Sequence, residues 1–439
     1  MRVVVVGAGF AGLRAAADLR AAGADVVLVE GGTRPGGRVR TVHSAFQGGQ
    51  YSESGAEWVD SIHERLLAEL DRLGIRILGS GEQWTDIRRW MHREGRLLTP
   101  KQVREADPDL DRQFDEFDRI VEDAAAGVVD AASPHLHPAA VSIDARSVAD
   151  VIAEAGLGAL ARIFKYRDSQ GEFASEPSQV SLLFLAQQRA HQRDASGGRH
   201  IIARRVEGGF SRVAECLAAE LGDVVQYGEH FVGVSQDADG VTVHTDQRTL
   251  AADHLVLACS FVPLRRATFH DPLPPVLRDA IHQLGYGTVT KTCVQWSERQ
   301  WPEGYATTDG RAQRVYEPSV DQPGPAGILT AYCGGDGGRE WATLPEAERV
   351  TQIAQEMRSM HGITADVLGS YSRAWNTEPR YGGSYAVYEP GQVHRFWAAV
   401  REPWGRVHFA GEHVATCTGY MEGALESGET VASRIVAAG

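Results

Sequence analysis

The chain has 439 residues, 43% apolar and 23% charged, a composition that fits a soluble globular protein of two or three domains and excludes a disordered or fibrous one. Its formal charge of −14 argues against a nucleic-acid partner and suits attraction of a cationic small molecule. Five scattered cysteines, Cys216, Cys259, Cys293, Cys333 and Cys417, offer neither a disulfide framework nor metal-ligand spacing, so reduced thiols and no metal are expected. No apolar run approaches membrane-spanning length and no cleavage pattern follows the apolar start, so a cytoplasmic protein without a membrane anchor is expected.

The opening stretch VVVVGAGFAGLRAAADLRAAGADVVLVEGG predicts a buried strand, an alanine-rich helix and a second strand ending at Glu30. Gly7, Gly9 and Gly12 stand in G-x-G-x-x-G spacing between the first strand and the helix. They permit a tight turn, close approach to a pyrophosphate and close helix packing, while the helix N-terminus favours the phosphate charge. Glu30 is the acid expected about 20 positions later, where it accepts a ribose hydroxyl. In this strand-turn-helix setting the pattern points to a dinucleotide.

Next, GGTRPGGRVRT places Arg34, Gly36, Gly37 and Arg38 straight after the second strand, and ESGAEWV adds Gly55 and Trp58. These segments resemble the flavin amine oxidase family, whose members hold FAD with an R-x-G-G-R segment and a later G-A-x-W. The resemblance implies an α/β fold: a Rossmann-type FAD-binding domain interleaved with an α+β substrate-binding domain, the two-domain architecture of monoamine oxidases. On that pattern residues 1–65, 200–290 and 385–439 form the FAD domain, and 66–199 and 291–384 the substrate domain. Arg38 lies near the diphosphate, and the Val232 backbone meets the adenine. Gly32 departs from the pattern, standing where some members carry another arginine, so the diphosphate has one charged contact fewer.

Further along, Ile62, Leu66, Leu70 and Leu73 make one helical stripe stopped by Gly74, and Phe114, Phe117 and Val121 make another. VDAASPHLHPAAVSIDA reads as a loop with His135 and His137 solvated, and a helix begins near Ser211. Alternating strands follow with a turn at Ala238 to Gly240, then a buried strand HLVLACS. GTVTKTCVQW is a strand carrying Lys291, one of three lysines in the chain. YGGSYAVY reads as a strand whose paired glycines mark close approach. The last segment has an apolar strand, a turn at Gly411 and a helix after Gly419.

The same resemblance supplies roles for this second half. Lys291 falls where the family places a lysine linked through water to flavin N5. Tyr385 and Tyr420 match the two walls of an aromatic cage, and Trp375 a ring beside the flavin. Glu412 meets the ribityl chain, and the Met421 N–H faces the flavin C2 carbonyl. Ser384 occupies the place of a flavin-bonding cysteine, so FAD is expected to be noncovalent. The implied activity is an FAD-dependent amine oxidase: hydride passes from the substrate C–N unit to N5, the imine is hydrolysed, and oxygen is reduced to hydrogen peroxide. The alternatives are an L-amino acid oxidase of the same fold, with Arg167 or Arg380 as its carboxylate anchor, and a dehydrogenase or desaturase using another acceptor. The partners are a small amine and molecular oxygen, with a homodimer left open.

Overall fold

The computed structural model describes residues 1–79, 82–83 and 89–438. Its first sheet is parallel and five-stranded, in the order Val225–Tyr227, Asp25–Glu30, Arg2–Val6, His254–Leu257 and Val407–Phe409. Both faces are covered, which is why the first strand is a continuous valine run. Val3 and Val5 point to the helices Phe10–Ala21, Ser211–Leu221 and Met421–Ala438, while Val4 and Val6 point to the opposite core. Each fully buried leucine in such a layer, Leu13 or Leu19 for example, stabilises by about 1.5–3 kcal/mol.

Small residues let the covering helices come close. A Cβ on Gly12 would sit 1.9 Å from the Gly7 carbonyl oxygen, and one on Gly428 would sit 2.4 Å from that of Ala11. Helix 421–438 therefore packs directly on helix 10–21, joining the two ends of the chain.

The second main sheet is mixed and seven-stranded, in the order Val367–Ala374, Val289–Trp296, Gly327–Gly334, Arg314–Tyr316, Tyr305–Thr308, Arg89–Arg93 and Arg96–Leu98. Its strand 289–296 is buried along its whole length and carries Lys291, paired with Tyr332 on one side and Arg373 on the other. Helices between residues 110 and 196 complete the layer, with Phe117, Val121, Phe164 and Leu183 in one core that runs on to Tyr388 and Trp397. The interleaved α/β and α+β architecture expected from the sequence is the one observed.

Three local expectations change. YGGSYAVY is mostly a turn: only Ala386–Val387 is strand, and Gly382 is left-handed at φ +60°. Its glycines serve protein packing, since a Cβ on Gly383 would meet Tyr286 Cβ at 2.8 Å. The segment 129–145 contains a 3-10 turn at Pro134–Leu136 and a helix at Ala140–Asp144. His135 and His137 within it are half-buried rather than solvated, and the His137 Nδ1 accepts the Ala139 N–H at 2.9 Å. Among the described residues no acidic, histidine and cysteine cluster could hold a metal, and no helix is long and apolar enough to cross a membrane.

Candidate active site

The first half of the site is a cradle of backbone. Gly7 is held at φ +103°, a conformation that L side chains rarely adopt, and a Cβ there would meet the Ala258 carbonyl oxygen at 2.9 Å. Gly9 differs: a Cβ on it would meet nothing within 4 Å, so its place faces open space. Helix 10–21 begins immediately after Gly9, with no side-chain cap and no acidic residue in its first turn, which leaves its N–H groups free for an anion. Gly37, at φ +58°, lies across from Gly9, with its own Cβ position 3.7 Å from the Gly9 Cα. Glu30 accepts the Ala8 N–H at 2.8 Å and the Gly32 N–H at 2.6 Å, which fixes its carboxylate at the rim of the turn.

At that rim a guanidinium comes from an unexpected segment. Arg380 Nη1 lies 3.5 Å from where a Gly32 Cβ would be and donates to the Gly31 carbonyl at 3.4 Å. Val232 is exposed on strand 231–236, two residues beyond His230, whose ring packs against Gly31. Gly36, at φ +99°, is crowded by the Val39 carbonyl, and a Cβ on Gly55 would sit 2.0 Å from the Arg38 carbonyl oxygen.

Arg38 joins the cradle to the C-terminal segment. It donates to Glu412 at 2.6 Å and to the Ser384 carbonyl at 2.5 Å. Burial opposes its charge, but Glu412 beside it holds the guanidinium above its ordinary pKa. Glu412 also accepts N–H groups from Ala386 at 3.3 Å and Gly419 at 3.0 Å, so one carboxylate ties together three of the segments singled out in the sequence. Gly411, at φ +139°, precedes it, with the ring of His413 in the space its side chain would need. Among the described residues the buried Ser384 hydroxyl and the buried Asn376 Oδ1 have no hydrogen-bond partner. Met421 is buried at the start of its helix, and the next residue, Glu422, caps helix Glu64–Arg72 by accepting the N–H groups of Arg65 and Leu66. An open glycine cradle, a helix N-terminus without a side-chain cap and the orphaned hydroxyl of Ser384, whose carbonyl meets Arg38, fit a dinucleotide.

The second half is made of side chains. Lys291, only 3% exposed, donates to the Glu53 carbonyl and the Gly55 carbonyl at 3.1 Å each and to Glu57 at 2.7 Å. An ammonium has three N–H groups, and all three are taken, so this arrangement leaves none for a bridging water. Glu57 also accepts from Arg205 at 2.9 Å and from the Tyr316 hydroxyl at 2.5 Å. Arg205 lies 3.7 Å from the centroid of the Trp58 ring. Burial disfavours the Glu57 charge, yet Lys291 and Arg205 outweigh it and bring its pKa down to about 2. Glu53, nearby but bonded to Thr41 and the Phe210 N–H, is instead pushed by burial up to about 7.

From the lysine the network continues to the aromatic residues. The Lys291 Nζ is 5.9 Å from the centre of the Tyr332 ring, and the Tyr332 hydroxyl bonds that of Tyr385 at 2.8 Å. Tyr385 in turn donates to the Gly171 carbonyl at 3.0 Å. Trp375 donates to the Ser54 carbonyl at 2.7 Å and packs edge-on against Tyr381. Tyr420 rests against His63, which burial holds down to about 3 and therefore neutral. Burial raises the Tyr385 and Tyr420 pKa values well above the usual value, and each phenol acts on the other's titration or on its neighbours'. Lys291, Trp375 and Tyr385 thus meet in one cluster, with Tyr420 beside it. Glu57, Arg205, Tyr316 and Tyr332 had no motif of their own; the hint was an acidic residue inside the apolar G-A-E-W-V run.

The amino acid alternative loses its named anchors. Arg167 spends its guanidinium on the Thr308 and Gly310 carbonyls and on Gln170, and Arg380 lies at the Gly31 end of the cradle.

Comparison with known proteins agrees with this geometry. The profile of the family described as flavin containing amine oxidoreductase matches residues 10–436. An L-amino acid dehydrogenase of Synechocystis sp. is 26% identical, over 99% of this chain and 94% of that protein. Among solved structures, wild-type putrescine oxidase bound to putrescine superposes with a TM-score of 0.85 at 25% identity, covering 100% of this chain and 99% of that one. Cyclohexylamine oxidase from Brevibacterium oxydans superposes at 0.89 with 24% identity and the same coverage. With its family profile spanning nearly the whole chain, this protein belongs to the flavin-containing amine oxidoreductases.

Proposed function

We propose that the protein is an amine oxidase with noncovalent FAD, and that residues 1–65, 200–290 and 385–439 hold the cofactor while 66–199 and 291–384 shape the substrate site. When bound, the flavin supplies a hydride acceptor at N5 and a route for the electrons to oxygen, with hydrogen peroxide as product. Gly7, Gly9, Gly12, Gly36, Gly37 and Arg38 receive the diphosphate, Glu30 the ribose, and the Val232 backbone the adenine. Gly55, Trp58, Gly411, Glu412 and Met421 line the remainder. Ser384 offers no thiol for a covalent bond. Arg380 supplies the charge that Gly32 does not.

Tyr385 and Tyr420 confine a neutral amine in front of the flavin, and Trp375 holds the adjoining wall. Both phenols stay protonated over the working pH range, so neither acts as a base. Lys291 contributes a fixed positive charge, held by Glu57, that stabilises negative charge developing on oxygen. The observation that carries the amine reading is that Arg167 is taken up by the Thr308 and Gly310 carbonyls and Gln170 while Arg380 lies at Gly31, so neither of the two arginines named for a substrate carboxylate is offered to one. The test is anaerobic bleaching of the visible flavin band by single amines and by L-amino acids. Bleaching by simple amines supports the reading; bleaching by amino acids alone moves the protein to the rival activity. Oxygen is then supplied to the reduced enzyme, and slow return of the band assigns another acceptor.

A further inference from the structure

We propose that Tyr332 is a positioning residue for amine oxidation: its hydroxyl donates to Tyr385 and fixes the tilt of that ring, the wall against which the amine is held. The proposal rests on the amine reading above and deepens it by naming what orients the wall.

Tyr332 stands in a row that crosses one face of the seven-stranded sheet. Residues directly paired between antiparallel strands share a face, and Arg373, Lys291, Tyr332 and Arg314 are paired in that order across strands 367–374, 289–296, 327–334 and 314–316. Each cation of the row has its own carboxylate: Arg373 lies 3.0 Å from Glu378, Lys291 2.7 Å from Glu57 and Arg314 2.7 Å from Asp168. The uncharged member turns its hydroxyl to that of Tyr385, 2.8 Å away.

Proton counting gives this bond its direction. A phenol has one proton, and a carbonyl can only accept. Tyr385 gives its proton to the Gly171 carbonyl at 3.0 Å, so the proton between the two hydroxyls belongs to Tyr332. With one bond given and one received, the Tyr385 oxygen is held at two points. A phenol O–H lies in the plane of its ring, so the ring turns only by straining one of these bonds.

Both points are themselves anchored. Gly171 lies in the last turn of helix Ala159–Glu172, and a Cβ on it would collide with Arg314 Nη1, so the guanidinium rests on the glycine. The same Arg314 bonds Asp168 in that helix and is the direct sheet neighbour of Tyr332. One arginine thereby sets the donor and the acceptor of Tyr385 relative to each other. Tyr332 and Tyr385 pack on Ala174, Val289 and Trp375 yet keep part of their surface open, as residues facing a ligand do.

The experiment is a double-mutant cycle on the FAD-loaded enzyme with Tyr332→Phe, Tyr385→Phe and the two combined. It is read by stopped-flow bleaching of the flavin without oxygen, with benzylamine, butylamine and cyclohexylamine as probes. Tyr332→Phe keeps the ring and loses only the donor. The limiting rate is expected to fall about 10-fold while Kd rises less than about 3-fold, because a misaligned wall harms the reacting geometry more than binding. In the Tyr385→Phe background the same substitution is expected to change neither value further. Flavin spectrum and FAD affinity should stay as in the wild type, which separates lost orientation from lost fold. Full additivity in the double variant, or an unchanged limiting rate in Tyr332→Phe, overturns this proposal alone. A Tyr332→Phe protein that no longer holds FAD assigns the residue to the fold and overturns it too. If none of the amines bleaches the wild type, the amine reading falls and this proposal with it.

Discussion

The glycine turn after the first strand and the strand around Lys291 converge on the same site, but they are built from different materials. Around Gly7, Gly9 and Gly37 the surface is main chain, and what matters is the volume that side chains leave free. Around Lys291 it is a closed set of charges drawn from residues 53 to 57, 205, 291, 316 and 332, and what matters is that each charge has its partner. A backbone cradle fails when something is added. A buried charge network fails when something is removed.

The sharpest test of this contrast adds a side chain to the open position. Gly9→Val is expected to fold, because nothing in the protein occupies the space, but to purify without FAD. Equal thermal unfolding of the two apoproteins together with a colourless variant is the expected result; a yellow variant breaks the comparison.

Removing a charge acts the other way. Lys291→Met leaves Glu57 with one cationic partner instead of two and is expected to cost about 3–5 kcal/mol in urea unfolding. It should also slow the return of the flavin band in air. Reoxidation as fast as wild type would remove the electrostatic role assigned to this lysine.

Two carboxylates of that region then give opposite pH signatures. Glu57, lowered to about 2, contributes stability that is present above pH 4.5 and lost as pH falls toward 2. Glu53, raised to about 7, binds its proton more tightly when folded, so stability declines as pH rises from 4.5 to about 7 and is level beyond. The Glu53 effect is on the order of 3 kcal/mol, at 1.36 kcal/mol per pKa unit. Glu53→Gln should abolish the decline, which denaturation midpoints across that pH range will show.

Smaller effects refine the picture. Tyr385→Phe deprives Gly171 and Tyr332 of one hydrogen bond each and is expected to cost about 1–3 kcal/mol, with weaker amine binding in bleaching titrations. Arg380→Ala removes an exposed guanidinium at the Gly31 rim. Surface charge contacts are worth about 0.2–1 kcal/mol, so FAD affinity measured by flavin fluorescence should fall by about 1.4- to 5-fold.

The contrast also explains what could be read in advance. Gly7, Gly9, Gly12 and Glu30 lie within one strand-turn-helix-strand unit, where spacing along the chain is spacing in the structure, and the fold follows from them. Lys291, Tyr385, Tyr420 and Trp375 were found only through their resemblance to family motifs, because their meeting depends on a seven-stranded sheet. Glu57, Arg205 and Tyr316 had no such help: their partners lie 148 to 259 positions away. YGGSYAVY misled because paired glycines beside aromatics suggest a strand, whereas here they relieve crowding against Tyr286.

Helix 421–438 packed on helix 10–21, with strand 407–409 as the fifth member of the first sheet, has a consequence for biosynthesis. The first sheet and its covering helices begin with strand 2–6 but close only when residues 407–438, made about 400 positions later, arrive. Until then one flank of the valine-rich sheet and the apolar side of the first helix stay uncovered, a state prone to aggregation. Contacts this distant also slow folding. A nascent chain of this enzyme must therefore be sheltered for most of its synthesis, and because Glu412 arrives with the closing segment, the grip on Arg38 is completed only at the end.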